Sequence, residues 1–274
     1  MPVWICRSCG VEHSPAAAPP ADCAICADDR ETKVLDGPRW TTPEELRSAG
    51  ATTRVAELEP DLHGIRVVPR VGIGQRALLV RTPVGNLLWD PTPFLDAAGV
   101  ERVRELGGAA YVVASHPHMY GVQVEWSRAL GGATVLVAEA DRRWVRRADP
   151  VIESWTGERE LLPGVTLYTL GGHFPGSSVV HWESGAEGRG VLLAGDTVHV
   201  NPDRRTVAFL RSYVNRYPLS AAVVERIAGA ATALDFDRLY DNTGGVLDAG
   251  ARESVRRSAQ RHAAWVRGDH DDLT

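Results

Sequence analysis

The chain has no apolar run approaching the roughly 18 residues that a membrane-spanning helix requires. Its opening, MPVWICRSCG, has no basic segment leading into a long apolar stretch. Neither a spanning helix nor a secretory leader is expected, and a cytoplasmic protein is the default. An excess of positive charge is missing too. The 30 Lys and Arg stand against 35 Asp and Glu, a formal charge of -5. That balance gives no support to a general nucleic-acid surface. Cysteine is absent beyond residue 26. What remains is ordinary for a globular chain: 44% hydrophobic and 24% charged residues over 274 positions. That length suffices for one sizeable domain or two smaller ones.

The cysteines that are present stand together. Cys6, Cys9, Cys23 and Cys26 form the pattern C-x2-C, thirteen residues, C-x2-C. Thiolate pairs at this spacing can converge tetrahedrally on one ion, and Zn(II) is the expected occupant. Two disulfides are the rival reading, opposed by the missing secretion signal. Iron is a second rival, because four thiolates do not name their metal. The intervening GVEHSPAAAPPAD is rich in Pro and Ala and builds no core alone. The metal would provide much of the folding energy of such a module. A zinc-ribbon module is expected over residues 1–35, ahead of a main domain over 36–274. It would serve as a cap on that domain or as a surface for a protein partner. Its Arg7, Arg30 and Lys33 are balanced by Asp22, Asp28, Asp29 and Glu31, so no basic patch for nucleic acid forms.

After the module, WTTPEELRS carries the signals of a helix start, with Thr42 as N-cap, Pro43 at N1 and Glu45 at N3. ALLVRT and NLLWD read as strands around the turn PVG. PTPFLDAAGVERVRELGG and VQVEWSRALGG read as helices closed by glycine, with the buried strand AAYVVASH between them. ATVLVAEAD is a further strand, and RRWVRRAD and WTGERELLP follow as helical or turn segments. A second cycle holds VTLYTLGG and GRGVLLAGD as strands and LSAAVVERIAGA as a helix. ATALDFDR reads as a strand with its exit loop, and a long basic amphipathic helix closes the chain. The arginines of that helix are expected on a solvated face. Strands feeding glycine-rich turns and helices, twice over, give an α/β protein.

Polar residues with metal-ligand chemistry fall where these strands end. His116 and His118 follow AAYVVAS, His173 follows VTLYTLGG, and Asp196 follows GVLLAG. Alternation in an extended segment would point His116 and His118 to one side. The two glycines before His173 leave room for close approach. Three imidazoles with a carboxylate or water suit Zn(II), with Fe(II) or Mn(II) as alternatives. Any one of these histidines alone would read as a surface or capping residue; the set at successive strand ends does not.

The order SHPHMYG, GGHFPGS, LLAGDT resembles the metallo-β-lactamase superfamily, as does the hairpin GIGQRALLVRTPVGNLLWDP. The resemblance covers roughly residues 64–241 and the terminal helix. It implies a four-layer αββα sandwich with a metal at the edge between its sheets. Residue by residue, it makes His116, His118 and His173 the ligands of a first ion. It makes Asp196 the aspartate that can bridge two ions. The family's next aspartate and histidine fall at Tyr120 and Gly121, and DFDRLYDNTGG holds no match for its final histidine. One metal rather than two is therefore expected.

A single ion on three neutral imidazoles would acidify water and polarise a carbonyl oxygen. Asp196 is then a fourth ligand or a base that orients the water. Tyr120 is a hydrogen-bond donor to an oxyanion or packs behind the site; a phenolate ligand is a minority reading that would favour iron. Asp90 is expected to orient a ligand histidine or nearby backbone. Arg238, Tyr240 and Asp241 stand where the last family ligand would be. Ser177 and Ser178 read as a turn, His199 as a residue of the pocket rim, and Tyr213 and Tyr217 as an entrance lining. His13 is a rival zinc ligand that four thiolates do not need. The leading expectation is a single-ion, metal-dependent hydrolase acting on a small ester, thioester or lactone. The alternatives are a non-catalytic binding or assembly protein on the same fold, and an iron-dependent redox enzyme.

Overall fold

The computed structural model describes residues 1–30 and 39–274. The expected boundary between residues 35 and 36 lies outside the described residues. By contacts the chain forms two compact units, Met1–Thr156 and Gly157–Thr274.

The first unit opens with a small antiparallel sheet of β1 (Trp4–Cys6), β2 (Glu12–His13) and β3 (Trp40–Thr41), in the order β2-β1-β3. α1 (Pro43–Ser48) follows with the expected capping box. The Thr42 hydroxyl accepts the Glu45 amide at 3.2 Å and the Glu45 carboxylate accepts the Thr42 amide at 3.2 Å. Seven strands then make one mixed sheet. β4 (Thr52–Glu59), β5 (Leu62–Val68), β6 (Ala77–Thr82) and β7 (Gly85–Trp89) pair as an antiparallel meander. α2 (Ala97–Glu105) leads to β8 (Tyr111–Val113), α3 (Gln123–Ala129) to β9 (Thr134–Ala138), and β10 (Ile152–Trp155) completes a parallel set. The first three parallel strands read LLW, YVV and TVLVA and are almost wholly buried, as crossover helices require, while the edge strand β10 is partly exposed. Ile5, Cys6, Cys9, Val11, Cys23 and Ile25 share one buried cluster with Phe94, Val122 and Trp126. The cysteine module is thus part of this unit's core.

The second unit contains β11 (Glu158–Leu162), β12 (Val165–Thr169), β13 (Ser178–Trp182), the short turn α4 (Gly185–Gly188) and β14 (Val191–Leu193). A two-stranded ribbon follows, β15 (His199–Val200) with β16 (Val207–Ala208), and then α5 (Ala221–Thr232). β17 (Arg238–Tyr240), β18 (Val246–Leu247) and α6 (Ala251–Arg267) complete it. The six-stranded sheet runs β11-β12-β13-β14-β17-β18, parallel only at β14–β17. Arg252 and Arg256 of α6 are exposed and ion-paired to Asp235 and Glu253, the solvated face its pattern suggests. Among the described residues no helix is long and apolar enough to cross a membrane.

Two local expectations need correction, and one strand was not anticipated. WTGERELLP is not helical: its ERELL forms β11, because antiparallel pairing with β12 outweighs the helix preference of Glu and Leu. ATALDFDR begins as the last turn of α5 and reaches a strand only at Arg238. TTRVAELE is a full strand, β4, that its charged exposed face conceals.

Asp96 ties α2 to the sheet. Its Oδ1 accepts the Gly99 amide at 2.7 Å as an N-cap, and its Oδ2 accepts the Thr53 amide at 3.1 Å. Asp96→Ala removes both acceptors and is expected to cost about 1–2 kcal/mol. Urea unfolding measures this, and an unchanged midpoint would contradict the role assigned to Asp96.

Candidate metal centre

The chain leaves β8 through Ser115 and His116, the latter fully extended at φ -168° and ψ 171°. A single 3-10 turn, Pro117–Met119, follows, with Pro117 at a position whose amide has no helical partner to lose. His118 therefore does not alternate with His116 along a strand, as expected; a turn brings their rings together. The ring centroids are 5.4 Å apart at 84°.

Asp90, after β7, adopts a left-handed φ of 55° and accepts the Ser115 amide at 2.6 Å. The Ser115 hydroxyl in turn meets His116 Nδ1 at 2.9 Å. An imidazole whose Nδ1 proton faces that hydroxyl carries its lone pair on Nε2, as a ligand histidine does. Asp90 thus orients backbone beside the histidine, as expected. Gly121 closes the turn at φ 51°, and a Cβ there would strike the Pro91 carbonyl oxygen, so only glycine fits. The buried Tyr120 donates its hydroxyl to the Asp141 carbonyl at 3.2 Å. Burial pushes its phenol well above the usual range, so it remains protonated. This geometry favours packing over a phenolate ligand.

In the second unit His173 follows Gly171 and Gly172, at φ 70° and 97°. A Cβ on Gly172 would lie 2.6 Å from Ile227 Cδ1, so the glycine permits close approach to α5. Ser177 closes this loop. Its carbonyl accepts the Leu170 and Gly171 amides, and its hydroxyl accepts the Phe174 amide at 2.8 Å. Asp196 comes just after Gly195, past the end of β14. Its Oδ2 is 3.8 Å from His173 Nε2 and its Oδ1 is 3.6 Å from His199 Nδ1. His199 Nδ1 also lies 3.5 Å from Asp241 Oδ2. Burial pulls the His199 pKa down, but Asp196 and Asp241 outweigh it and hold the ring above its ordinary value. Asp241 is itself fixed, accepting the Thr243, Gly244 and Gly245 amides at 2.9, 2.9 and 2.7 Å. The sequence offered His199 only as a rim residue and Asp241 as one of three residues where the last family ligand would be; their meeting was not apparent from it. Arg238 Nε donates to the Asp248 carbonyl at 3.0 Å.

Among the described residues, two sets of side chains can each hold an ion. One is the candidate set of His116 and His118 in the first unit and His173 in the second, all buried. The other is Cys6, Cys9, Cys23 and Cys26. Cys6 and Cys26 sulfurs are 3.6 Å apart, and those of Cys9 and Cys23 are 3.8 Å apart. A tetrahedron with metal–sulfur bonds of about 2.3 Å has edges of about 3.8 Å. All four are free thiols rather than two disulfides. His13 packs edge-on against Trp40, 4.6 Å away. Both donor sets, three imidazoles and four thiols, fit a divalent ion such as zinc.

Residues 72–240 match the model of the metallo-beta-lactamase superfamily, and the chain belongs to that family. The chain is 42% identical over 264 residues to the uncharacterized protein YmaE of Bacillus subtilis strain 168, covering 96% of each. Among solved structures it is similar to the metallo-beta-lactamase FIM-1 from Pseudomonas aeruginosa, with a TM-score of 0.57 and 13% identity. That match covers 77% of this chain and 96% of FIM-1. The DIM-1 metallo-beta-lactamase gives a TM-score of 0.57 at 14% identity, over 77% of this chain and 98% of DIM-1. These likenesses establish the α/β metallo-β-lactamase fold, preceded here by the cysteine module.

Ser115→Ala removes the hydroxyl that faces His116 Nδ1. It is expected to weaken ion binding at the histidine cluster by about tenfold, the lower end for a lost partner of a ligand. Isothermal titration with Zn(II) checks this, and an unchanged affinity would show that the hydroxyl does not align the ring.

Proposed function

We propose that this chain is a metal-dependent hydrolase that works with one ion, held by His116, His118 and His173. The observation that carries the reading is the burial of all three imidazoles, at the positions that the superfamily pattern gives to the ligands of a first ion. Zinc is the ion we assign, both here and at Cys6, Cys9, Cys23 and Cys26, where the sulfur spacing supports a zinc-ribbon identity. When bound at the histidines, the ion supplies Lewis-acid polarisation of a carbonyl and makes water more acidic.

What stands in its place supports a degenerate second site. Tyr120 donates its hydroxyl to a backbone carbonyl, and Gly121 has no side chain. Asp241, near the vacant last position, has one oxygen spent on main-chain amides and the other beside Val200 N and His199. The other duties fall to this chain's own groups. Asp196 is the carboxylate placed to orient water or accept its proton, one oxygen near His173 and the other near His199. His199, whose Nδ1 faces two carboxylates and whose side chain is 15% exposed, is the ring placed to return a proton to a leaving oxygen or sulfur through its other nitrogen, Nε2. A two-metal phosphodiester reaction uses ions on both attacking and leaving oxygens. A one-ion site therefore favours a carbonyl substrate: a small ester, thioester or lactone.

A second reading is a binding or assembly protein on this fold. It is favoured by Tyr120 filling, with a packed ring, the place of a family ligand.

The test is a hydrolysis panel of small thioesters, lactones and esters with zinc-loaded protein. The expected result is turnover of at least one class, reduced about 100-fold or more in Asp196→Asn. No turnover of any class by wild type, with the histidine site loaded, would favour the binding protein.

A further inference from the structure

The cysteine module and the histidine turn meet through Glu12. This residue stands three positions after Cys9, in β2, and is 2% exposed. Its main chain and its side chain both end on the segment just past His118. The Glu12 amide donates to the Gly121 carbonyl at 2.9 Å. Glu12 Oε1 accepts the Val124 amide at 2.6 Å, in the first turn of α3. That helix has no cap of its own, because its N-cap residue is Val122. Glu12 Oε2 lies 2.5 Å from Arg147, which is also 2.7 Å from Glu125. A carboxylate bound at once by a main-chain amide and a buried guanidinium is held tightly in place.

Glu12 is itself placed by the cysteine module. β1 and β2 pair Ile5 with Glu12 and Trp4 with His13. The knuckle between the cysteines of the first pair closes with the Gly10 amide on the Cys6 carbonyl at 2.8 Å. Gly10 and Gly72 allow the module to lie directly against the unit: a Cβ on Gly10 would be 2.6 Å from Pro93 Cβ, and one on Gly72 would be 2.8 Å from Gly10 N. The path from the sulfurs to the histidine turn is therefore short and packed at each step.

We propose that Glu12 is a positioning residue, through which the four-cysteine module holds residues 121–124 and so fixes the turn that presents His116 and His118. Ion affinity at the histidine cluster then depends on a carboxylate that touches neither histidine. This rests on the reading that the cluster binds an ion. A purely structural role for the Glu12–Arg147 pair would lower stability without altering that affinity.

The test is Co(II) titration of the full chain. Cobalt in four thiolates and cobalt among imidazoles give distinct absorption bands, and His116→Ala/His118→Ala identifies the second set. In Glu12→Ala the histidine-site dissociation constant is expected to rise about tenfold, with that of the thiolate site unchanged. Glu12→Gln, which keeps an acceptor for the Val124 amide, is expected to recover most of the loss. A histidine-site constant in Glu12→Ala equal to wild type overturns the proposal, even if the melting temperature falls. Should Glu12→Ala fail to fold, Glu12→Asp decides. It keeps the charge but is too short to reach both partners, and an affinity equal to wild type overturns the proposal there as well. If wild type shows no histidine-site band, the metal reading itself fails and the proposal falls with it, a result distinct from any effect confined to the variants.

Discussion

Buried carboxylates that accept main-chain amides fix, within each unit, the loops that carry the candidate ligands or lie beside them. Asp90 takes the Ser115 amide, Glu12 the Val124 amide, and Asp241 the amides of three successive residues. Each answers the same difficulty. Loops that carry ligands leave their strands with unpaired N–H groups, and a buried N–H without an acceptor is costly. A charged acceptor makes the stronger bond and fixes direction as well. These amides offset part of the cost of burying negative charge; at Glu12 Arg147 adds to them, and burial still pushes the carboxyl up to about 7. His116 and His118 thus sit on a turn anchored at one end through Asp90 and Ser115, and at the other through Glu12.

A ribbon attached by a flexible tether could be a separate partner-binding device. Here its cysteines and its Ile5, Val11 and Ile25 are buried with Val122 and Trp126, residues just past the histidine turn. Metal at the sulfurs would order a Pro/Ala-rich segment and, with it, the neighbour of that turn. The cap function weighed from the sequence is the one this packing supports.

The sequence made the histidines, the cysteines and the fold legible because each depends on local pattern or spacing. Thr42, Pro43 and Glu45 announced α1, and the capping box is there. The strand-end placement of His173 and Asp196 was readable from apolar runs ending in glycine. What could not be read depends on partners far along the chain. Glu12 looked like part of a coreless linker, and its contact with Val124 spans 112 residues. His199 looked like a rim residue until the end of β17 brought Asp241 to it. The turn at Pro117 defeated the expectation of simple alternation, since proline fixes one backbone angle and strand periodicity says nothing about it. ERELL became a strand because of its neighbour rather than its composition.

The most direct test of the account is metal content per chain, by element, in protein purified without added metal or chelator. Wild type is compared with His116→Ala/His118→Ala. The account predicts about two zinc ions per wild-type chain, one on thiolates and one on imidazoles, falling to about one in the variant. A single ion in both proteins would contradict it, leaving the three histidines without the chemistry assigned to them.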